Sequence, residues 1–201
     1  MSATLEVLST ADLPGEEERS MTLQEFDDLP PGDGVDRWLV RGQLYRCPKT
    51  VRGYSHSAVE ANVAYHLKQW IRRQPLPRGR AVSGEAGFLL RRDPGTKVGI
   101  DVAYITAELA AATPKNAAII EGVPLLAVEI LSPSDRMRFI TSKIDEYLQT
   151  GVKLVWCVEP TFSTITVYRP DAAPTTFNIH DEITAEPHLP GFRVAVAEIF
   201  E

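Results

Sequence analysis

Two carboxylates set inside apolar, strand-like runs constrain this chain more than any other feature. Asp101 lies in Gly99-Ile100-Asp101-Val102-Ala103-Tyr104-Ile105, and Glu129 in Leu125-Leu126-Ala127-Val128-Glu129-Ile130-Leu131. A charge in such a run is costly unless it is paired, hydrogen-bonded or bound to a metal. The second run is apolar on both faces, as expected of a central strand covered on both sides. Side chains alternate along a strand, so Asp101 is expected with Ala103 and Ile105, and Glu129 with Ala127 and Leu131. If these strands are neighbours, the two carboxylates meet at one end of a sheet. Such an oxygen pair suits a hard divalent cation, Mg²⁺ above all. Simple exposure at a strand end is the competing reading, and it fits Asp101, after a glycine-rich loop, better than Glu129.

A Ser-Pro-Ser-Asp turn follows Leu131, and Ser134 is placed to cap a helix running to Thr150, with Gly151 as its stop. Met137, Ile140, Ile144, Tyr147 and Leu148 form the apolar stripe of that helix, and Lys143 borders it. The Lys143 stem can lie along the stripe and deliver an ammonium to the carboxylates, or it can snorkel to water. Glu85, in Ser83-Gly84-Glu85-Ala86-Gly87-Phe88, is a third acid in a strand pattern. A metal ligand and a charge protecting a sheet edge are both open to it. Glu60 and His56 read as a solvated helix residue and a local hydrogen-bonding group.

Upstream, Thr22-Leu23-Gln24-Glu25 is a capping box. Two short runs around Arg41-Gly42 predict a β-hairpin, and a helix capped by Ser55 or Ser57 runs to about Arg73 with Val59, Val63, Leu67 and Trp70 buried. Strands are expected over 81–91, 99–105, 125–131, 153–159 and 164–169, with a short helix over 107–112 and short strands towards the end. The order predicts an α/β domain with a mixed sheet flanked by helices. Residues 1–20 are acidic and aperiodic and are expected to form a mobile tail, leaving 21–201 as one domain.

The net charge of −6 argues against a broadly electrostatic nucleic-acid binder, although a nuclease needs only local cations and its metal. Arginines cluster at Arg72, Arg73, Arg78, Arg80, Arg91 and Arg92, a pattern commoner on solvated faces. Cys47 and Cys157 have no metal spacing and form no disulfide framework, and no run is long enough for a membrane helix. A cytoplasmic location is expected. Motifs of P-loop NTPases, zincins, zinc fingers and α/β-hydrolases are absent.

The block Val128-Glu129-Ile130-Leu131-Ser132-Pro133-Ser134-Asp135, followed by Lys143, Tyr147, Gly151-Val152 and Trp156, resembles the bacterial Uma family of restriction-endonuclease-like proteins, within the PD-(D/E)XK nuclease superfamily. His56-Ser57, Gly84 to Leu90, Val167-Tyr168-Arg169 and Leu189-Pro190-Gly191-Phe192 extend the likeness across 21–201. The resemblance implies a restriction-endonuclease-like core and a Mg²⁺-dependent endonuclease acting on DNA, with Mn²⁺ as an alternative ion. Asp101 and Glu129 would hold the metal with the Ile130 backbone carbonyl, and Lys143 would stabilise phosphate charge. Glu85 resembles the family's acid in the preceding strand. Ile100 and Leu131 depart from the superfamily motif, where proline and lysine are usual, and Lys143 takes the lysine's part from the next helix. A non-catalytic module for assembly or nucleic-acid binding is the alternative, and a homodimer is left open. Because neighbouring carboxylates repel without a cation, Glu129→Ala is expected to fold.

Overall fold

The computed structural model describes residues 20–30, 34–48, 51–132 and 137–201. The expected acidic tail and the Ser134 cap lie outside the described residues, apart from Ser20. The elements begin with α1 (Leu23–Asp27), the hairpin β1 (Val35–Val40) and β2 (Gln43–Pro48), and α2 (Tyr54–Arg73). Then come β3 (Arg80–Arg91), β4 (Thr96–Ile105), α3 (Ala107–Ala112), β5 (Ile120–Glu121), β6 (Leu126–Ile130) and α4 (Met137–Thr150). The chain continues through β7 (Leu154–Glu159), β8 (Thr164–Arg169), β9 (Ala172–Phe177), β10 (Glu182–Thr184), β11 (Arg193–Ala195) and α5 (Val196–Phe200).

Local chemistry accounts for the boundaries. Thr22 and Glu25 form the expected reciprocal capping box. Arg41 and Gly42 both take positive φ, 49° and 75°, as a tight I′ hairpin turn requires. Gly151, at φ 105°, ends α4, with Val152 N–H donating to Tyr147 O at 2.9 Å and Gly151 N–H to Leu148 O at 3.3 Å. One expectation is corrected. Helix α2 begins at Tyr54, with Gly53 as its N-cap and no side-chain cap bond, so Ser55 and Ser57 fall inside its first turn. This earlier start carries His56 into the interior, where it is 5% exposed.

Among the described residues, nine strands make one mixed sheet in the order β2-β1-β4-β6-β7-β8-β9, with β3 paired to β4 and β5. Strands β6 and β7 are parallel, joined across α4. One core layer packs Val59, Val63, Leu67 and Trp70 of α2 with Val128, Trp156 and Ile199. The other packs Ile140, Ile144 and Tyr147 of α4 with Ala103, Ala127 and Val155. The C-terminal segment, expected as short strands, is the β10–β11 hairpin followed by α5, which packs against α2.

A buried carboxylate locks α4 in place. Glu146 is fully buried and accepts from Arg41 Nε at 2.6 Å and from Thr96 Oγ1 at 2.7 Å, with Arg91 Nε 3.2 Å away. It thus ties the helix to the β1–β2 turn, to β3 and to β4. Glu146→Ala should lower stability by roughly 2–3 kcal/mol, below the ~3–5 typical of breaking a fully buried pair, because both arginines retain some solvent. Removing Glu121, half of the exposed pair with Arg92, should cost less than about 1 kcal/mol. Urea unfolding of the two variants checks the contrast.

Candidate active site

The site begins with a fork in the sheet. β3 runs along β4 from Arg80↔Ile105 to Arg91↔Thr96, occupying one side of that strand. On the other side β1 meets β4 only at Leu39↔Lys97, and β6 meets it only from Val102↔Val128 to Tyr104↔Leu126. Residues 98–101 therefore lack a strand partner on that side. Continuing the β4–β6 register by one step sets Asp101 opposite Glu129.

Side chains complete the hydrogen bonding at this gap. Lys143 Nζ donates to Gly99 O at 2.9 Å and to Glu129 Oε2 at 2.6 Å. Tyr147 OH donates to Glu129 Oε1 at 2.6 Å, so both carboxylate oxygens are engaged. Ile130 N–H donates to Asp101 Oδ2 at 2.8 Å. Asp101, Glu129 and Lys143, on two strands and the following helix, are all buried. Lys143 also lies 5.5 Å from the ring centroid of Phe139 and 6.0 Å from that of Trp38.

Two partners escaped the sequence reading. The helical period puts Tyr147 in the apolar stripe, and its ring is fully buried there, yet its hydroxyl serves Glu129. His56 was read as a local hydrogen-bonding group, but its Nε2 lies 3.5 Å from Asp101 Oδ2, an ion-pair distance rather than a short hydrogen bond. The i, i+4 spacing of Lys143 and Tyr147 carried the signal for the tyrosine. Nothing local pointed to His56, because its contact joins residues far apart in sequence.

Glu85 sits on a β-bulge between Ser83 and Ala86, with φ 57° at Glu85 and 82° at Gly84. Its carboxylate pairs with Arg52 Nη2 at 2.5 Å, and a Cβ on Gly99 would fall 2.5 Å from Glu85 Cγ. Glu60, read as solvated, accepts the Gly84 N–H at 2.5 Å and so supports the bulge.

Among the described residues, no three His, Cys, Asp or Glu side chains cluster as a set that could hold a metal. The available donors are the two carboxylates and the backbone beside Asp101. They fit Mg²⁺, which takes one or two carboxylates and keeps several waters.

Burial is the largest influence on Glu129 and raises its carboxyl from 4.5 to about 7; the Lys143 charge opposes this, the Asp101 charge reinforces it, and hydrogen bonds from Lys143 and Tyr147 oppose it. Burial also pushes Asp101 up, but His56, Lys143 and the Ile130 N–H together hold it below the usual carboxylate value. The Asp101 contact raises His56, outweighing burial. Burial and the neighbouring Glu129 charge raise the Tyr147 phenol well above its usual value.

With the fold and the paired acids in view, comparison with known proteins gives the class. The chain belongs to the Uma2 family of putative restriction endonucleases, which it matches over residues 23–197. The fold is also that of a crystallographically determined putative nuclease belonging to DUF820 from Anabaena variabilis ATCC 29413. The TM-score is 0.75 at 21% identity, covering 90% of this chain and 97% of that one. No curated protein matches the chain. No helix among the described residues is long and apolar enough to cross a membrane.

Two of the raised groups, Glu129 and His56, predict a pH profile. Between pH 4.5 and 7 the native state keeps a proton on Glu129 that the unfolded chain has released. Stability should therefore fall as pH rises through this window, with a slope approaching about 1.4 kcal/mol per pH unit. His56 acts with the same sign at higher pH: its contribution is complete below 6.5 and is lost as pH rises through its raised value. Urea unfolding across both windows measures the sum. Glu129→Gln should remove the lower window and leave the upper, whereas a flat wild-type profile below pH 7 would contradict the raised carboxyl.

Proposed function

We propose that the protein is a Mg²⁺-dependent endonuclease that hydrolyses DNA phosphodiester bonds. The observation that carries this reading is the meeting of Asp101, Glu129 and Lys143 at the β4 fork. On this reading Asp101, Glu129 and the Ile130 carbonyl hold the ion, with Mn²⁺ able to replace it. The ion would supply charge neutralisation at the phosphate and a more acidic bound water. Water attacks phosphorus, the bond to the leaving sugar oxygen breaks, and that oxygen takes a proton.

The chain's own groups then have distinct tasks. Lys143 places a fixed ammonium next to the acids, where it stabilises the charge that builds on the phosphate. Tyr147 orients the Glu129 carboxylate, and His56 with the Ile130 N–H orients Asp101. Glu85 positions water or reaches the ion from the bulge. The reading takes residues 21–201 as one restriction-endonuclease-like domain working in the bacterial cytoplasm. Sedimentation tests whether it works as a homodimer.

The structure changes which variant tests this best. Glu129→Ala, expected from sequence to fold, would leave Lys143 and the Tyr147 hydroxyl buried without their carboxylate partner, at a cost of several kcal/mol. Glu129→Gln keeps the shape. Single-turnover cleavage of mixed DNA substrates with saturating Mg²⁺ should be lost in Glu129→Gln and Asp101→Asn, and should fall roughly 10²-fold or more in Lys143→Met. Mg²⁺ at 100 times its dissociation constant should stabilise the wild type by about 2.7 kcal/mol, and this gain should vanish in Asp101→Asn. DNA binding without cleavage or metal stabilisation would favour the non-catalytic module instead.

A further inference from the structure

The cations near the acids differ in how far they are committed. Lys143 is 4% exposed, with its ammonium already shared between Gly99 O and Glu129. His56 is 5% exposed and faces Asp101. Neither presents a charge outward. Arg52, in the segment leading into α2, differs: its side chain keeps 36% exposure, and among the described residues it bonds only the Glu85 carboxylate. Val51 and Tyr54 beside it are 97% and 89% exposed, so this segment stands proud of the surface.

We propose that Arg52 is a docking cation for a DNA backbone phosphate, held in reserve by Glu85 until a strand enters the site. The proposal rests on the nuclease reading and adds the group that first meets the substrate. The site gathers Asp101, Glu129 and Glu85 while Lys143 and His56 are buried against two of them, so a phosphate arriving from solution needs an accessible counter-charge at the rim. A planar guanidinium can grip two phosphate oxygens at once, which an ammonium cannot.

Its bond to Glu85, whose side chain lies against Gly99, keeps Arg52 beside the fork without burying it. Partial burial lowers its pKa, but the hydrogen bond from Arg52 to Glu85 and the charges of Glu85, Asp101 and Asp36 more than offset this. Glu85 is in turn fixed by its bulge, where the positive φ at Glu85 and Gly84 and the Glu60 bond hold the backbone in a conformation side chains rarely adopt. The holder is rigid and the held group is long and flexible. A part-exposed pair of this kind is weak, so a phosphate can take the arginine from it. The exchange would also free Glu85 to act at the reacting centre.

Fluorescence anisotropy of a labelled DNA duplex tests this, with Ca²⁺ in place of Mg²⁺ and ionic strength varied. Arg52→Met should weaken binding and reduce the slope of log K against log salt by about 0.9, the loss of one phosphate contact. Arg52→Lys should keep the slope while binding less tightly than wild type. Glu85→Gln should tighten binding several-fold, and this gain should disappear on the Arg52→Met background. If Arg52 merely supports Glu85, both single variants weaken binding alike and the slope stays put, which overturns the proposal. Thermal melting identifies any variant that fails to fold, and the sign of the Glu85→Gln effect then decides. An Arg52→Met protein that binds with wild-type affinity and slope sinks this inference alone. A wild type with no affinity for the duplex sinks the nuclease reading with it.

Discussion

The interruption along β4 is the constraint on which the rest of the site depends. With β3 along one side and the other side divided between β1 and β6, four residues lose their strand partner in the middle of a buried strand. Buried backbone groups have to be satisfied from somewhere. Gly99 O takes the Lys143 ammonium, and Ile130 N–H takes the Asp101 carboxylate in place of a ladder carbonyl. The side chains that repair the sheet are therefore the ones to which the proposed reading gives the chemistry. An unbroken sheet would leave Lys143 no carbonyl to reach and Asp101 no N–H to accept.

Helix α4 converts this local repair into a rigid arrangement. Lys143, Glu146 and Tyr147 lie three and four residues apart on one face, and all three are buried. Two reach the Glu129 carboxylate, while the third is gripped by Arg41, Thr96 and Arg91. Apolar packing of Ile140 and Ile144 alone would tolerate small rotations and slides. A buried charge does not, because shifting it by an ångström or two breaks hydrogen bonds that water cannot replace. The polar contacts thus trade stability, through the desolvation of several charges, for a fixed position of the Lys143 ammonium.

Much of this architecture was legible in the residues themselves. The capping box at Thr22, the hairpin turn at Arg41-Gly42, the stripe of α2 and the stop at Gly151 all follow from local rules, and the structure realises each; the stripe of α4 holds from Ile140 onward, whereas Met137, expected in it, is 61% exposed in the helix's first turn. The acids were conspicuous because a carboxylate among Val, Ile and Leu demands a partner. The fork was not legible, since it depends on β1 returning to β4 across more than fifty residues of chain. Nor was the burial of Glu146, whose partners lie on three other elements, or the inward turn of His56, which depends on where α2 starts. The α2 start was misplaced because the serines offered better cap chemistry than Gly53, and tertiary burial of His56 outweighed that preference.

On the proposed reading, a division of labour between the site's cations also reconciles the acidic chain with a polyanionic substrate. A net charge of −6 provides no broad attraction, so recognition has to be local. A cation buried against the acids is well placed to meet charge that appears only as the reaction proceeds, but it is poorly placed to capture a strand from solution. Capture requires exposure, and exposure weakens the grip any single group can exert. Dividing the tasks resolves the conflict: Lys143 is immobilised at the fork, while Arg52 remains at the rim on a contact weak enough to break. Glu85 links the two regions, since its side chain lies against Gly99, whose carbonyl holds Lys143, while its carboxylate holds Arg52. On the proposed reading, whatever displaces Arg52 from Glu85 is felt one residue away from the catalytic ammonium, so strand capture and assembly of the reacting centre become a single event.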